Sequence, residues 1–139
     1  MTARLSTTNF DHPSTRCSAR HIAISSPDPG ALAQWYVDHL GFYINHAYMG
    51  NFFVKAPNGV ILEFIPSKGE PRAEQAMTTP GLRHMAVSVE DFDAAREHLR
   101  SIGVKLVGEP FMVGDNRLAY FADADGNLLH LIKRKTPLP

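Results

Sequence analysis

Arg20 to Asp28 reads RHIAISSPD, and Arg83 to Asp91 reads RHMAVSVED. The two stretches agree at Arg, His, Ala, Ser and Asp and differ conservatively at Ile/Met and Ile/Val, so the chain contains an internal repeat. A second correspondence extends it: Asn58 to Ile65 (NGVILEFI) aligns with Asp125 to Ile132 (DGNLLHLI). Two homologous modules therefore fill the chain from Arg20 onward. Pro66 to Gly81, with three Pro and two Gly, separates them as a linker. The expected organisation is an N-terminal arm over residues 1–19, a single domain over 20–133, and a tail over 134–139. The domain divides into module one (20–65), the linker (66–81) and module two (82–133).

Each module carries the same signals in the same order. His21 to Ser25 alternates as a strand, and Asp28 followed by Pro29 supplies a helix cap with proline at the first helical position. Leu32, Trp35, Tyr36 and Leu40 recur at helical spacing, and Gly41 marks the stop. In module two Asp91 caps a helix whose apolar stripe is Phe92, Ala95, Leu99 and Ile102, with Gly103 as its stop. Strand-like runs follow at Phe42 to Met49, Asn51 to Lys55 and Val60 to Ile65, then at Lys105 to Val107, Arg117 to Ala122 and Asn127 to Ile132. The turns Pro57-Asn58-Gly59 and Asp123-Ala124-Asp125-Gly126 join the last two strands of each module. Each module reads βαβββ.

Composition bounds the function. The chain has 139 residues, 44% of them hydrophobic, and a chain of this size buries about 68% of its extended surface, enough for a core. Fourteen basic residues balance fourteen acidic ones, which argues against nucleic-acid and membrane-surface partners, since either would need a concentrated basic excess. Cys17 is the single cysteine, so no intrachain disulfide can form, and a cytoplasmic location is expected. The N-terminus has no apolar signal stretch, so export is not expected; the Ser-, Thr- and Arg-rich residues 1–19 read as a flexible arm. Walker, G-x-G-x-x-G, G-x-S-x-G, H-E-x-x-H and C-x-x-C patterns are all missing, against nucleotide-binding, serine-hydrolase, zincin and thioredoxin-like chemistry.

Strand periodicity puts His21, Ala23 and Ser25 on one face, and His84, Ala86 and Ser88 on the matching face of module two. Such faces are too small and polar to fill a core, and they read as the lining of a cavity. On the closing strands Glu63 lies between Ile61 and Ile65, and His130 between Leu128 and Ile132. Taken singly, a strand histidine is more often a hydrogen-bonded core residue than a ligand. An ionised carboxylate within VILEFI, however, costs several kcal/mol to bury unpaired, so Glu63 is exposed on an edge, paired, or bound to metal. His or Glu at all four equivalent positions points toward a metal.

The duplicated βαβββ pattern, the RHIAIS and RHMAVS strand starts, the YVDHLGF helix exit and the DADGNLLHLI closing hairpin resemble the glyoxalase, bleomycin-resistance and extradiol-dioxygenase superfamily, also called vicinal oxygen chelate proteins. The resemblance covers Arg20 to Lys133. It implies an α+β fold in which two tandem βαβββ modules form a U-shaped, mixed eight-stranded sheet around a metal-containing cup. Carried over by position, the metal ligands are His21, Glu63, His84 and His130, holding one divalent ion: Zn, Ni, Co, Mn or Fe(II). His130 departs from the Glu that glyoxalase I relatives usually have there.

That departure leaves Glu63 as the expected catalytic base, with His130 as fourth ligand or acid/base. The resemblance implies a glyoxalase-like lyase or isomerase acting on a small molecule with vicinal oxygens. The alternatives are an extradiol-type Fe(II) dioxygenase, for which His21, His84 and Glu63 make a two-His-one-carboxylate set, and a metal-free antibiotic-binding protein. Substrate-contact candidates are His46, Tyr48, Arg117 and Tyr120, with specificity expected from loops at Ala47 to Asn51 and Glu109 to Asn116. His46 and Tyr48 are expected to share a face with Phe42 and Ile44. A homodimer is expected, because short relatives pair module one with a partner's module two. The aromatics Trp35, Tyr36, Phe42, Phe52 and Phe53 also outnumber what one helix can cover.

Overall fold

The computed structural model describes residues 17–138 apart from Gln75, so the arm expected over residues 1–19 falls, up to residue 16, outside the described part. The elements run β1 (Ile22–Ser26), α1 (Pro29–Leu40), β2 (Tyr43–Tyr48), β3 (Asn51–Lys55), β4 (Ile61–Pro66), then β5 (Met85–Ser88), α2 (Phe92–Ser101), β6 (Lys105–Val113), β7 (Asn116–Ala122) and β8 (Leu128–Lys133). They form two four-stranded mixed sheets with the same order, β1-β4-β3-β2 and β5-β8-β7-β6. In each, the module's first strand pairs parallel with its last, and the other ladders are antiparallel. The eight expected strands are thus present as two hydrogen-bonded sheets, one per module.

The helices begin and end where local chemistry requires. The Asp28 side chain accepts from the Ala31 N–H, Pro29 opens α1, and Gly41 closes it in the left-handed region at φ 70°. Asp91 does the same for α2 by accepting from the Ala94 N–H. α1 covers one face of the first sheet, where Leu32, Ala33 and Tyr36 bury against Val54, Leu62 and Phe64, with Phe42 alongside. Each fully buried Leu or Phe here contributes roughly 1.5–3 kcal/mol. Phe92 and Leu99 of α2 join Phe121, Leu129 and Leu131 in the same core. With Tyr36 and Phe42 buried and Trp35 and Phe52 packed against them, α1 and its sheet account for most of the module-one aromatics. Those residues therefore do not call for an extra interface.

Two expected loops are largely strand. β6 continues past Val107 to Val113, through a register shift where Gly108 takes φ 70°; that break hid the strand's second half in the sequence. Ala47, Tyr48 and Asn51 likewise belong to β2 and β3, joined by a tight turn of Met49 and Gly50 at φ 50° and 83°. A second register shift between Ile44 and His46 sends them to opposite faces: Ile44 pairs with Val54, and His46 with Phe53. His46 therefore does not share its face with Ile44, as plain alternation had indicated.

Among the described residues, side-chain bonds tie module one to module two. Tyr36 Oη donates to Asp123 Oδ2 at 2.9 Å, and Ser26 Oγ donates to Asp125 Oδ2 at 2.6 Å.

Candidate metal centre

The sheet faces not covered by helices carry the candidate residues. In the first sheet a cross-strand row runs Ala23, Glu63, Phe53, His46. His21, two residues before Ala23, points to the same side, and its Nε2 lies 2.9 Å from Glu63 Oε2. Glu63 Oε1 accepts a 2.9 Å hydrogen bond from Asn51 Nδ2. β4 is an inner strand, so of the three fates open to Glu63 the structure shows pairing: its side chain is 15% exposed and both oxygens are engaged.

The second sheet repeats the row as Ala86, His130, Tyr120, Val107. His84 meets the edge of Tyr120 at 5.6 Å with planes at 83°, nearly the geometry of His21 against Phe53, at 5.5 Å and 85°. The repeat thus preserves the placement of the first-strand histidine against the aromatic two strands away. His84 and His130 lie 4.5 Å apart between ring centroids. His130 is only 4% exposed; burial first, and then the neighbouring His84, hold its pKa below the ordinary histidine range. It therefore rests as neutral imidazole, the form that binds metals. Burial raises the pKa of Tyr120 and keeps its hydroxyl protonated.

The four expected ligands thus come together as two pairs, His21 with Glu63 and His84 with His130. Among the described residues, no group of three or more His, Cys, Asp or Glu lies close enough to share one ion. As donors the pairs suit a divalent metal, three imidazoles and one carboxylate, but each offers only two positions. A cavity of about 420 Å³ opens between β1, the 67–73 segment and the starts of β5 and β8, and of the four residues only His84 lines it. Its walls are mainly apolar, with Ile22, Ile24, Leu62, Met85 and Leu129, so it marks the gap between the modules rather than the ligand cluster.

The substrate-contact candidates separate. His46 and Tyr48 stack at 6.4 Å, and His46 also meets Phe53 at 5.8 Å, beside the His21–Glu63 pair. Tyr120 lies against His84 and His130 and stacks on Phe111 at 5.8 Å. Arg117 falls elsewhere: strand alternation turns it to the α2 side, where it pairs with Asp93 at 2.9 Å and lies over the Phe92 ring. The structure does not bring it to the other candidates. The sequence does not name Asn51, Phe53 or Phe111 as site residues, although Asn51 and Phe111 fall in the two expected specificity loops and Phe53 among the aromatics expected at an interface. Counting back from Glu63 across the Asn58-Gly59 hairpin would have found Phe53 and Asn51, whereas Phe111 is hidden by the β6 register shift.

The sequence model of the Glyoxalase/Bleomycin resistance protein/Dioxygenase superfamily matches residues 18–131. The chain belongs to that superfamily. It is 32% identical over 126 residues to the uncharacterized protein YaeR of Escherichia coli (strain K12), across 82% of this chain and 94% of YaeR. Among solved structures of the superfamily fold, a glyoxalase/dioxygenase from Nostoc punctiforme superposes with a TM-score of 0.73 at 18% identity, covering 94% of this chain and all of the other. The oxidase ChaP-H2 superposes at 0.66 with 26% identity, covering 85% and 94%. The superfamily includes enzymes and usually carries a divalent metal. No helix among the described residues is long and apolar enough to cross a membrane.

Proposed function

We propose that the chain acts as a cytoplasmic homodimer, a divalent-metal-dependent lyase or isomerase of a small molecule bearing vicinal oxygens. His21 and Glu63 of one copy meet His84 and His130 of the other around the ion. The observation that carries this reading is the His21–Glu63 pair: a carboxylate in an inner strand, engaged at both oxygens, on a face that no helix covers. A second copy is favoured over closure within one chain, because the two pairs do not cluster within it while its modules are already tied to each other by the Tyr36–Asp123 and Ser26–Asp125 bonds. The open faces and edges also expose Tyr43, Tyr48, Met49, Phe111, Met112 and Val113, apolar surface of the kind an interface covers.

When bound, the ion would polarise a substrate carbonyl. Glu63 would accept the proton from the adjacent carbon, and His84 and His130 would complete the ligand set from the other sheet. Phe53, His46 and Tyr120 would hold the organic part of the substrate.

The imidazole at position 130 supports a second reading. His21, His84 and Glu63 also form the two-His-one-carboxylate pattern of Fe(II) dioxygenases, with His130 beside them as acid/base and a catechol-like ring as substrate. Elemental analysis of protein purified without chelator, with isomerase assays on hemithioacetals and oxygen uptake on catechols, separates the two. Metal-free protein that turns over nothing yet binds an antibiotic tightly would replace both with a resistance-type binding role.

A further inference from the structure

Resting on the metal-site reading above, we infer that Asn51 is the positioning residue of that site: its side-chain amide fixes the Glu63 carboxylate so that one oxygen is held for the ion. The bond is direct, 2.9 Å from Asn51 Nδ2 to Glu63 Oε1, while Glu63 Oε2 faces His21 Nε2 at 2.9 Å. The amide thus occupies the oxygen that the histidine leaves. The turn at Met49-Gly50, with both residues at positive φ, is of the tight hairpin kind that fixes the register of the β2–β3 pairs next to it, from Tyr48 back to His46. That register pairs Asn51 with Tyr48 and puts Asn51 on the face of Phe53 and Glu63. Phe53 lies directly opposite Glu63, so Asn51 reaches the carboxylate as its diagonal neighbour.

The internal repeat supplies an independent argument. Phe53 and Glu63 correspond to Tyr120 and His130, each a directly opposed pair, so Asn51 corresponds to Leu118. Where module one has a carboxylate it also has an amide donor. Where module two has an imidazole it has a buried leucine, and His130 Nδ1 lies 3.3 Å from the backbone oxygen of Leu131 instead. The two copies differ at both positions together. A carboxylate needs an outside donor to lock its rotation, whereas an imidazole can be oriented through its own second nitrogen.

The test is Co(II) titration of the purified full chain, followed by calorimetry and by the visible spectrum of the bound ion, with the metal-free melting temperature measured alongside. Asn51→Ala and Asn51→Leu are expected to weaken Co(II) binding by about 10–100-fold and to alter the spectrum, because loss of such a ligand-orienting partner typically costs that much. Asn51→Gln, which keeps the amide, is expected to recover part of both, with melting temperatures close to the wild type throughout. Unchanged Co(II) affinity in Ala or Leu variants that fold normally would overturn the role of Asn51 while leaving the metal-site reading standing. A wild-type chain that takes up no Co(II) would overturn that reading and this inference together.

Discussion

The Tyr36 hydroxyl, on the module-one helix, donates a 2.9 Å hydrogen bond to Asp123 in the closing turn of module two, and the two residues are 1% and 6% exposed. The same carboxylate also accepts from the Asp125 and Asn127 backbone N–H groups and from the Asn127 side chain. Tyr36→Phe removes the bond while leaving Asp123 three donors, so it is expected to cost about 1–3 kcal/mol of unfolding free energy in a urea titration. Losses well below 0.5 kcal/mol would show that the modules are not held together there.

Asp123 also carries a pH signature. Desolvation by burial raises its pKa despite these hydrogen bonds, so the folded chain holds this proton more tightly than the unfolded chain does. The associated stability is therefore present at low pH and lost as pH rises from the ordinary aspartate range through the raised value. In urea unfolding series across mildly acidic pH, the wild type is expected to lose stability on that rise relative to Asp123→Asn, whatever the offset between the two proteins. Parallel pH profiles would contradict this.

Oligomeric state tests how the two ligand pairs meet. The wild type is expected to run as a dimer by light scattering at micromolar concentration. If each site takes His21 and Glu63 from one copy and His84 and His130 from the other, a mixture of His21→Ala and His84→Ala chains should recover one intact site per heterodimer. Metal content rising toward a quarter of the wild-type value after 1:1 mixing and refolding is the expected result, since half of the randomly assorted dimers are heterodimers and each of those has one of its two sites intact. A monomer, or no recovery, would point to closure within the chain.

Glu63 and His130 should behave differently under substitution. Glu63→Gln is expected to lower turnover by ~10²–10⁴ at full metal loading, since an amide oxygen can still face the ion but cannot take the proton. His130→Glu is expected to keep the metal, because carboxylate oxygen suits the same ions. Under the dioxygenase reading the order reverses: Glu63→Gln chiefly weakens Fe(II) retention, and His130→Glu does the greater damage at full loading.

Arg117→Ala should leave KM unchanged on any substrate the protein turns over. Its ion pair with Asp93 and its position over Phe92 are partly exposed and remote from His130, so the expected cost is about 1 kcal/mol or less of stability. A several-fold rise in KM would return Arg117 to the substrate contacts.

Much of this molecule is written locally. The repeat, the Asp28 and Asp91 caps, the Gly41 stop and the two-residue alternation of His21-Ala23 and His84-Ala86 depend on contacts within a few residues, so periodicity and capping chemistry are enough to place them. The same alternation put Glu63 and His130 at equivalent positions, because a strand that pairs in one register has no freedom to choose its faces. Register shifts broke that reasoning twice: between Ile44 and His46 one extra residue reverses which side the later side chains meet, while between Val107 and Phe111 two extra residues keep the sides but interrupt the strand pattern and so hid Phe111. Tertiary structure alone decided that Glu63 is paired through Asn51 and His21, that Arg117 turns toward α2, and that the ligands sit as two separate pairs. The first two are contacts between separate elements of one module, fixed by strand register and by how a helix docks on its sheet. The third depends on how the two modules sit against each other, through bonds such as Tyr36–Asp123, and no local pattern in the chain carries that information.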